Sequence, residues 1–378
     1  MNIEKFSEKF GIISNQGTYF TYEPKLLPFK TDDLITLNIL NLVEEVSFKF
    51  GSLNNYVSKV ENIDLLLAPY LKKEALSSST IEGTRSSLDE VFLSENEIKL
   101  ETKDSQEVLN YSKALEFGLK EIEISDIDEK LIKGIHEILM SGVRGEDKSP
   151  GKFKVDINWI NGVDPHDAEF VPPHPTSINL LIKNLCEYIQ REDNENIFLK
   201  TAIIHYQFET IHPFRDGNGR IGRLLIILFL CKQSKLKKPL IYVSGFFEKY
   251  KKEYMLKLQN VRENAEMIEW IEFFLKGLKI QADKSIIKLE KLNNYKMEIE
   301  KRIKEKTNSN HTLNAVNLLF KNPYVKITDI QNYLGIQYTM AKFVIDKLLE
   351  ENIIEKVGKN ERNKKYLARE IFNIIYED

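Results

Sequence analysis

Twelve consecutive residues, HPFRDGNGRIGR from His212 to Arg223, combine a histidine, an acid, glycines, an asparagine and arginines. Glycines let backbone N–H groups approach a ligand closely. A helix that begins near Asn218 would point its unpaired amides and the positive end of its dipole at the same place. We therefore expect this loop to bind an anion, and phosphate is the anion that suits it best.

The side chains of this loop agree with a phosphate site. Arg220 and Arg223 share one face of the first helical turn. A helix start ordinarily favours acids, so two arginines there make sense if a polyanion lies between them and the loop. Asp216 suits the oxygen ligand of a Mg²⁺ bound to the phosphates. His212 can accept a proton near neutral pH.

Two familiar nucleotide-binding motifs do not account for the segment. GNGRIG matches G-x-G-x-x-G, but a dinucleotide-binding fold needs a preceding strand, whereas a helix ending near Ile211 precedes this one. A P-loop is excluded because no Gly-Lys-Ser/Thr follows. An ordinary turn with a capping histidine is the remaining alternative. It would have to explain a base, an acid, an amide nest and two arginines at one helix start.

The segment resembles the motif of the Fic family, H-P-F-x-[DE]-G-N-[GK]-R-x-x-R, at every specified position, and the resemblance covers most of residues 30–280. It implies an all-α catalytic core and transfer of AMP from ATP, with Mg²⁺, to Ser, Thr or Tyr hydroxyls of proteins. His212 would be the general base and Asp216 the metal ligand. Asn218, Gly219 and Arg220 would position the α- and β-phosphates, and Arg223 the γ-phosphate. The residues that the resemblance assigns to ATP binding are Glu82, His212, Gly217, Asn218, Gly219, Arg220, Ile221, Gly222, Arg223 and Tyr254.

A second segment, SSSTIEGT from Ser77 to Thr84, can be explained as a simple helix end that Gly83 caps. It is also similar to the Fic inhibitory motif, [ST]-x-x-x-E-[GN], through Ser78, Glu82 and Gly83. That similarity implies that Glu82 pairs with Arg223, occupies the γ-phosphate position and inhibits transfer. The motif precedes the catalytic loop, as in the subclass with an N-terminal inhibitory helix.

KFKVDINWI alternates apolar residues from Phe153 to Trp159, which predicts a strand. The turn and proline-rich return NGVDPHDAEFVPPHP complete a β-hairpin flap, and Lys154 stands where many relatives have arginine. A strand edge there could hold an extended segment of the target protein by main-chain hydrogen bonds. An ordinary surface hairpin is the alternative.

Tyr254 lies where relatives place an adenine-stacking tyrosine, and Met255 replaces their second tyrosine. Tyr254 could equally belong to the core. The other histidines near these motifs, His166, His174 and His205, have no zinc-site spacing, so we interpret them as structural.

The elements around these motifs are mainly helical. ENIFLKTAIIHYQFETI and RLLIILFLCKQ are apolar nearly all round, which is typical of central buried helices. We predict four regions: an N-terminal helical region with the inhibitory motif at 1–100, the Fic catalytic domain at 101–282, a helical connector at 283–310, and a winged helix-turn-helix at 311–378. The last consists of three helices and two strands, IIEKVG and KKYLA.

The C-terminal region leaves a rival function open, that of a DNA-binding regulator. The second helix of its predicted helix-turn-helix, YTMAKFVIDKLLEEN, offers Lys342 and Lys347 among several acids, although phosphate neutralisation dominates DNA affinity. The wing, with Arg362, Lys364 and Lys365, is better suited to DNA. We expect this region to mediate a homodimer or target contacts instead. A third possibility is removal of AMP from proteins at the same site, with Glu82 orienting a water.

Composition limits the remaining choices. The 378 residues carry a net charge of -3, so the whole protein is not a polyanion binder. Cys186 and Cys231 form no disulfide framework, and the N-terminus has no apolar signal segment. The longest apolar run, Leu224 to Cys231, is far shorter than the roughly 20 residues of a membrane span. We expect a cytoplasmic protein without membrane segments.

Overall fold

The computed structural model describes residues 1–30, 32–94, 103–143, 149–306, 309–358 and 364–376. Its helices are α1 (Leu37–Val57), α2 (Asp64–Ile81), α3 (Leu88–Ser94), α4 (Lys103–Ile124), α5 (Glu129–Leu139), α6 (Pro175–Gln190), α7 (Ile197–Ile211), α8 (Asn218–Lys232), α9 (Val243–Lys249), α10 (Lys251–Asn264), α11 (Met267–Lys306), α12 (Asn310–Lys321), α13 (Ile327–Leu334), α14 (Tyr338–Glu350) and α15 (Arg369–Tyr376). The strands are β1 (Gly11–Asn15), β2 (Phe20–Pro24), β3 (Tyr324–Val325), β4 (Glu355–Val357) and β5 (Lys365–Leu367). The predicted mainly α fold with small β elements is confirmed. None of the described helices is both long and apolar enough to cross a bilayer.

The centre of the molecule is the pair α7 and α8, which pack against each other. Asn196 caps α7 by accepting the N–H groups of Phe198 and Leu199. Every residue of α7 after the first is buried, and so is α8 from Asn218 to Leu230. Helices that are apolar all round must lie inside a protein, as the sequence predicted. The predicted phosphate loop is the short connection between them.

Helix α2 brings the predicted inhibitory motif into the same interior. It packs against α4, α8 and α9 on the catalytic side and against α12 and α15 on the C-terminal side. Polar residues on α2 are buried together with apolar ones, including Glu74 and Ser78. This mixed pattern explains why the helix has little amphipathic signal in the sequence.

The N-terminal region contains a hairpin that sequence reasoning missed. β1 and β2 pair antiparallel, with Gly11 opposite Pro24. Tyr22 of β2 is fully buried among Phe6 and Phe170, and its N–H donates to the carbonyl of Val171 at 2.9 Å. The hairpin therefore supports the returning half of the flap.

The strand predicted from Phe153 to Trp159 is wrong. The flap, residues 153–174, is a loop closed by one antiparallel bridge between Ile160 and Phe170. The side chain of Val155 is 75% exposed. The N–H of Lys154 donates to a carbonyl of the catalytic loop instead of a neighbouring strand, so the alternating pattern does not produce a ladder.

The C-terminal elements follow the order predicted for residues 311–378, with β3 and α15 in addition. β3, β5 and β4 form one antiparallel sheet with β5 in the middle. Arg362 lies outside the described residues. The predicted connector belongs to α11, a helix of 40 residues. Apolar residues of α1, α2, α11 and of the C-terminal elements form one continuous cluster, so the core is not divided at 283–310. The four predicted regions remain a prediction.

Candidate functional site

The catalytic loop, residues 212–217, turns sharply because left-handed backbone stands at both of its ends. His212 caps the C-terminus of α7 with φ 48°, and its N–H donates to the carbonyl of Phe208 at 2.9 Å. Gly217 has φ 77° immediately before α8. Histidine tolerates this region better than most residues, and glycine occupies it at little cost. The loop thereby presents the start of α8 beside the imidazole.

Asn218 closes this loop with its side-chain amide. Its Oδ1 accepts the N–H of Phe214 at 2.8 Å, and its Nδ2 donates to the carbonyl of the same residue at 2.8 Å. Phe214 itself is fully buried. The amide of Asn218 is thus engaged in shaping the loop, and its backbone N–H at the helix start is the group that can face a ligand.

His136 on α5 supports the catalytic loop, and it was not among the residues predicted from the sequence. Its ring stacks on Phe214 with centroids 3.8 Å apart. Nδ1 accepts the N–H of Gly151 at 2.8 Å, so the proton must sit on Nε2, which donates to the carbonyl of Asp216 at 3.1 Å. Burial lowers the pKa of His136 to about 4, so this neutral tautomer persists at pH 7. No local sequence pattern could identify His136, because it lies 80 residues before Asp216.

Arg220 is buried, yet it has few hydrogen bonds. Its Nη2 lies 3.4 Å from Oδ1 of Asp216, and its Nη1 lies 3.6 Å from Oε2 of Glu107. Nε and Nη1 are buried without a hydrogen-bond partner among the described residues. Buried donors are nearly always satisfied. The unsatisfied ones indicate a place for an anion that accepts from them.

Arg223 is bound by the end of α2 through two of its three nitrogens, while its Nη1 is buried without a hydrogen-bond partner among the described residues. Its Nε donates to Oγ of Ser78 at 2.8 Å, and its Nη2 donates to the carbonyl of Ser78 at 2.8 Å and to Oε1 of Glu82 at 2.7 Å. Its side chain is completely buried, and that of Glu82 is 33% exposed. Although burial acts against the charge, the Arg223 guanidinium holds the pKa of Glu82 below its ordinary value. The predicted Glu82–Arg223 contact is therefore present as a charged pair.

The glycines of the two motifs are required for different structural reasons. A Cβ at Gly219 would collide with the Glu82 carboxylate, and one at Gly222 would collide with the carboxylate of Glu209. Gly83, with φ 93°, ends α2. Ile221 is fully buried, so a contribution to nucleotide binding would have to come from its backbone.

The imidazole of His212 is half-buried and is neutral at pH 7. Burial above all, together with the cations Lys154 and Arg262, lowers its pKa to about 3, while Glu82 acts in the opposite direction. A neutral imidazole can accept a proton at pH 7.

Asp216 is accessible enough to ligate a metal. Its carboxylate is 45% exposed, and Oδ1 accepts the N–H of Gly217 at 2.6 Å. Within the described residues no group of three or more His, Cys, Asp or Glu side chains could surround a metal ion. This arrangement fits Mg²⁺, which is commonly held by one or two carboxylates together with phosphate oxygens and water.

The structure favours the core interpretation of Tyr254. Its side chain is 1% exposed, its ring stacks on Phe247 with centroids 4.5 Å apart, and its hydroxyl lies 2.8 Å from Nε2 of His205. His205 is fully buried, and His174 caps α6. In this conformation Tyr254 offers no exposed face on which an adenine could stack.

Comparisons with known proteins point in one direction. The model "Fic/DOC family" matches residues 126–230, and the model "Fic/DOC family N-terminal" matches residues 40–120. A protein of Aquifex aeolicus named "probable protein adenylyltransferase" is 27% identical over 227 residues, which are 58% of this chain and 64% of that protein. The protein adenylyltransferase fic-1 of Caenorhabditis elegans is 30% identical over 80 residues, 21% of this chain and 16% of that protein. The chain thus spans less than two thirds of these curated relatives.

Two crystal structures share the fold. A Fic family protein of Desulfovibrio desulfuricans superposes with a TM-score of 0.57 at 21% identity, over 88% of this chain and 96% of its own. A Fic domain-containing signaling protein of Bacteroides thetaiotaomicron gives a TM-score of 0.54 at 18% identity, over 67% of this chain and 97% of its own. At these identities the likeness concerns the fold.

Proposed function

Because this chain is a member of the Fic family, we propose that it is a protein adenylyltransferase, which moves AMP from ATP to a Ser, Thr or Tyr hydroxyl of a protein. One observation supports this most. A neutral imidazole, His212, and the unsatisfied buried donors of Arg220 lie in the same short segment at the start of α8. A base beside an anion site is what phosphoryl and nucleotidyl transfer require.

In the proposed reaction, His212 takes the proton of the target hydroxyl as its oxygen bonds to the α-phosphorus. The bond from that phosphorus to the bridging oxygen breaks, and pyrophosphate leaves with the electron pair. The amides at the start of α8 and the Arg220 guanidinium hold the phosphates in line. When bound at Asp216, Mg²⁺ supplies positive charge to the phosphates.

The test is incubation of the purified chain with ATP and Mg²⁺, followed by intact-mass measurement of the chain and of a proteome extract probed with labelled ATP. We expect AMP on protein hydroxyls. His212→Ala should lower transfer by about 10²–10⁴-fold but retain ATP binding, since the amide nest does not use the imidazole. Undiminished transfer in that variant would refute the role of His212.

We also propose that the inhibitory turn, residues 78–84, restrains transfer. Glu82 and a γ-phosphate are alternative charge-assisted partners for Arg223. While Glu82 accepts from Nη2, that donor is not available to a phosphate, and the triphosphate lies out of line. Removal of AMP from proteins is the second candidate, since the partly exposed Glu82 carboxylate beside His212 could orient a water. Incubating AMP-modified chain with Mg²⁺ and following loss of the added mass distinguishes the two.

For the C-terminal elements we propose protein contacts in preference to DNA. The outer face of α14 exposes Tyr338, Met340 and Phe343 around Lys342, and the three apolar side chains are unsuited to phosphate contacts. A homodimer or the target protein is the proposed partner, in the cytoplasm. Sedimentation velocity tests the dimer, and a salt-dependent mobility shift with duplex DNA would favour the rival function.

A further inference from the structure

The flap is joined to the catalytic loop at three consecutive residues. The N–H of Lys154 donates to the carbonyl of Pro213 at 2.9 Å. The amide of Asn158 donates to the carbonyl of Phe214 at 3.0 Å. The next loop residue, Arg215, forms an ion pair with Asp156 of the flap. These three residues directly follow His212, so these contacts fix the position of the flap relative to the proposed general base.

Lys154 is an unusual residue for such a joint. Its side chain is 3% exposed, and among the described residues no acid forms an ion pair with it. Its ammonium donates to Oδ1 of Asn158 at 2.6 Å. Burial lowers the pKa of the Lys154 side chain to about 7, which reflects the cost of burying a cation without an acid, and an uncharged residue could fill the same space. The cost indicates that the link to Asn158 has a use beyond packing.

We propose that Lys154 and Asn158 are positioning residues, which set the distance between a target segment on the flap and the imidazole of His212. This inference rests on the proposed transfer reaction. Lys154 orients Asn158, Asn158 holds Phe214, and the loop in turn fixes the base. Loss of the link should misplace the hydroxyl more than the phosphates. Asn158 and Asn218 share the carbonyl of Phe214, but no hydrogen bond among the described residues joins Lys154 or Asn158 to Arg220 or to the backbone amides of α8.

The experiment compares Lys154→Met with the matched control Lys152→Met, whose side chain is exposed.

Transfer is measured to a His212→Ala chain as acceptor, in parallel with ATP affinity and with ATP cleavage in the absence of acceptor. We expect Lys154→Met to raise KM for the acceptor and to lower transfer by about 10²-fold, as a misplacement of about 1 Å can do. ATP affinity and acceptor-free cleavage should match the control.

Lys154→Arg, which keeps a long cationic donor, should recover part of the transfer rate. Equal loss of ATP affinity and transfer, or no difference from Lys152→Met, would overturn the inference. Absence of transfer in the unsubstituted chain would instead refute the proposed function itself. Circular dichroism of each variant checks that it is folded.

A second inference comes from the other side of the site, where C-terminal residues bracket the inhibitory turn. Before the turn, Lys73 of α2 is buried, and its ammonium donates to the carbonyls of Ile375 and Tyr376 at 3.2 and 3.1 Å. These carbonyls end α15, where the helix dipole favours a cation. The last turns of α2 are therefore anchored on the C-terminal helix.

After the turn, the chain is held by the same region. The amide of Asn322 donates to the carbonyl of Phe92 at 3.0 Å, and the hydroxyl of Tyr324 bonds to Asp89. The rings of Phe92 and Phe372 meet edge to face with centroids 6.4 Å apart. The inhibitory turn is thus a short segment whose two flanks both rest on residues after 311.

We infer that the C-terminal region keeps Glu82 at Arg223, so that loosening its contacts with α2 and α3 would release inhibition. This inference rests on the proposed inhibitory role of Glu82. It predicts that weakening the contacts of Lys73 with α15 and of Tyr324 with Asp89 raises transfer, although neither residue bonds to the catalytic loop.

The test measures AMP transfer by Lys73→Met and Tyr324→Phe, with Lys342→Met and Tyr333→Phe, whose side chains are exposed, as matched controls. We expect the first pair to be several-fold more active than the controls, and to add nothing when combined with Glu82→Gly. If Glu82→Gly is active but the bracket variants equal their controls, this inference fails alone. If Glu82→Gly itself shows no gain, the inhibitory role of Glu82 has failed.

Discussion

The inhibitory turn and the flap both contact the segment from His212 to Arg223, but they use different interactions. The turn reaches the arginine in α8 through charge-assisted hydrogen bonds from Arg223 to Ser78 and Glu82. The flap reaches the loop mainly through backbone carbonyls. A phosphate can replace a carboxylate on a guanidinium, whereas no nucleotide group can replace an internal carbonyl contact. A nucleotide can therefore displace the contact of the inhibitory turn, but not the contacts of the flap.

The two regions also act oppositely on the base. Glu82 raises the pKa of His212, and Lys154 lowers it, in addition to the dominant effect of burial. The pKa of the same imidazole is therefore raised by a removable carboxylate and lowered by a buried lysine, whose own pKa burial lowers to about 7. The following predictions test this contrast, from the largest expected effect to the smallest.

Removing the exchangeable contact should have the largest effect. Glu82→Gly frees Arg223 for the γ-phosphate, and transfer should rise on the order of 10²-fold because the triphosphate can align with the hydroxyl. AMP incorporation by Glu82→Gly, Arg223→Ala and the double variant measures this. Arg223→Ala should stay inactive, since it removes the phosphate contact together with the restraint. A slower Glu82→Gly would mean that Glu82 serves catalysis.

The metal response should change next, independently of both regions. Asp216→Asn replaces an anionic oxygen ligand by a neutral amide, which is a poorer ligand for Mg²⁺. Calorimetric titration with ATP should show a gain in affinity on adding Mg²⁺ that is smaller by about tenfold, since one charged ligand is lost. Asn158→Ala, on the flap side, is the comparison and should keep the wild-type metal response. An unchanged response in Asp216→Asn would contradict the assignment.

A milder release is expected from the hydroxyl of the inhibitory turn. Ser78→Ala removes one hydrogen bond to a charged group, worth about 1.5–3 kcal/mol, but leaves Glu82 on Arg223. Transfer should therefore rise less than in Glu82→Gly, and ATP affinity should improve. Ser79→Ala is the control, because Oγ of Ser79 is buried but makes no hydrogen bond among the described residues. Equal rates in the two variants would exclude a contribution of Ser78.

The smallest effect concerns pH. Burial, Lys154 and Arg262 hold the pKa of His212 to about 3, so the base is neutral throughout the physiological range. The acid limb of kcat/KM should lie well below pH 6. It should move down in Glu82→Gly, which removes an anion, and up in Lys154→Met, which removes a cation. A limb near pH 6.5 in the unsubstituted chain would contradict this electrostatic account.

The sequence predicted the catalytic loop well because its functional residues are neighbours. His212, Asp216 and Arg220 lie within nine consecutive residues, and the helix start that aligns them follows from the glycines. The two buried helices around the loop were also predictable, since they are apolar all round. Pairing of Glu82 with Arg223, 141 residues apart, came from family resemblance, because local pattern explains SSSTIEGT equally well as a helix end.

What could not be predicted depends on contacts distant in sequence. His136 and Asn158 resemble ordinary helix and loop residues until packing places them beside Asp216 and Phe214. The predicted flap strand failed for the same reason, since Lys154 bonds to the catalytic loop in place of a partner strand. Tyr254 shows that matching a position of the family does not settle exposure, which is decided by the aromatic residues around it.

The helix α11 has a consequence for how the molecule loses its structure. Its 40 residues extend about 60 Å at 1.5 Å per residue. It packs on α7 at the heart of the catalytic part and on α12 and α15 in the C-terminal part. Both ends of one uninterrupted helix are thus built into a single apolar core. Melting of either end exposes apolar surface that the other end needs. Calorimetry should therefore record one cooperative unfolding transition for residues before and after 310, in place of two.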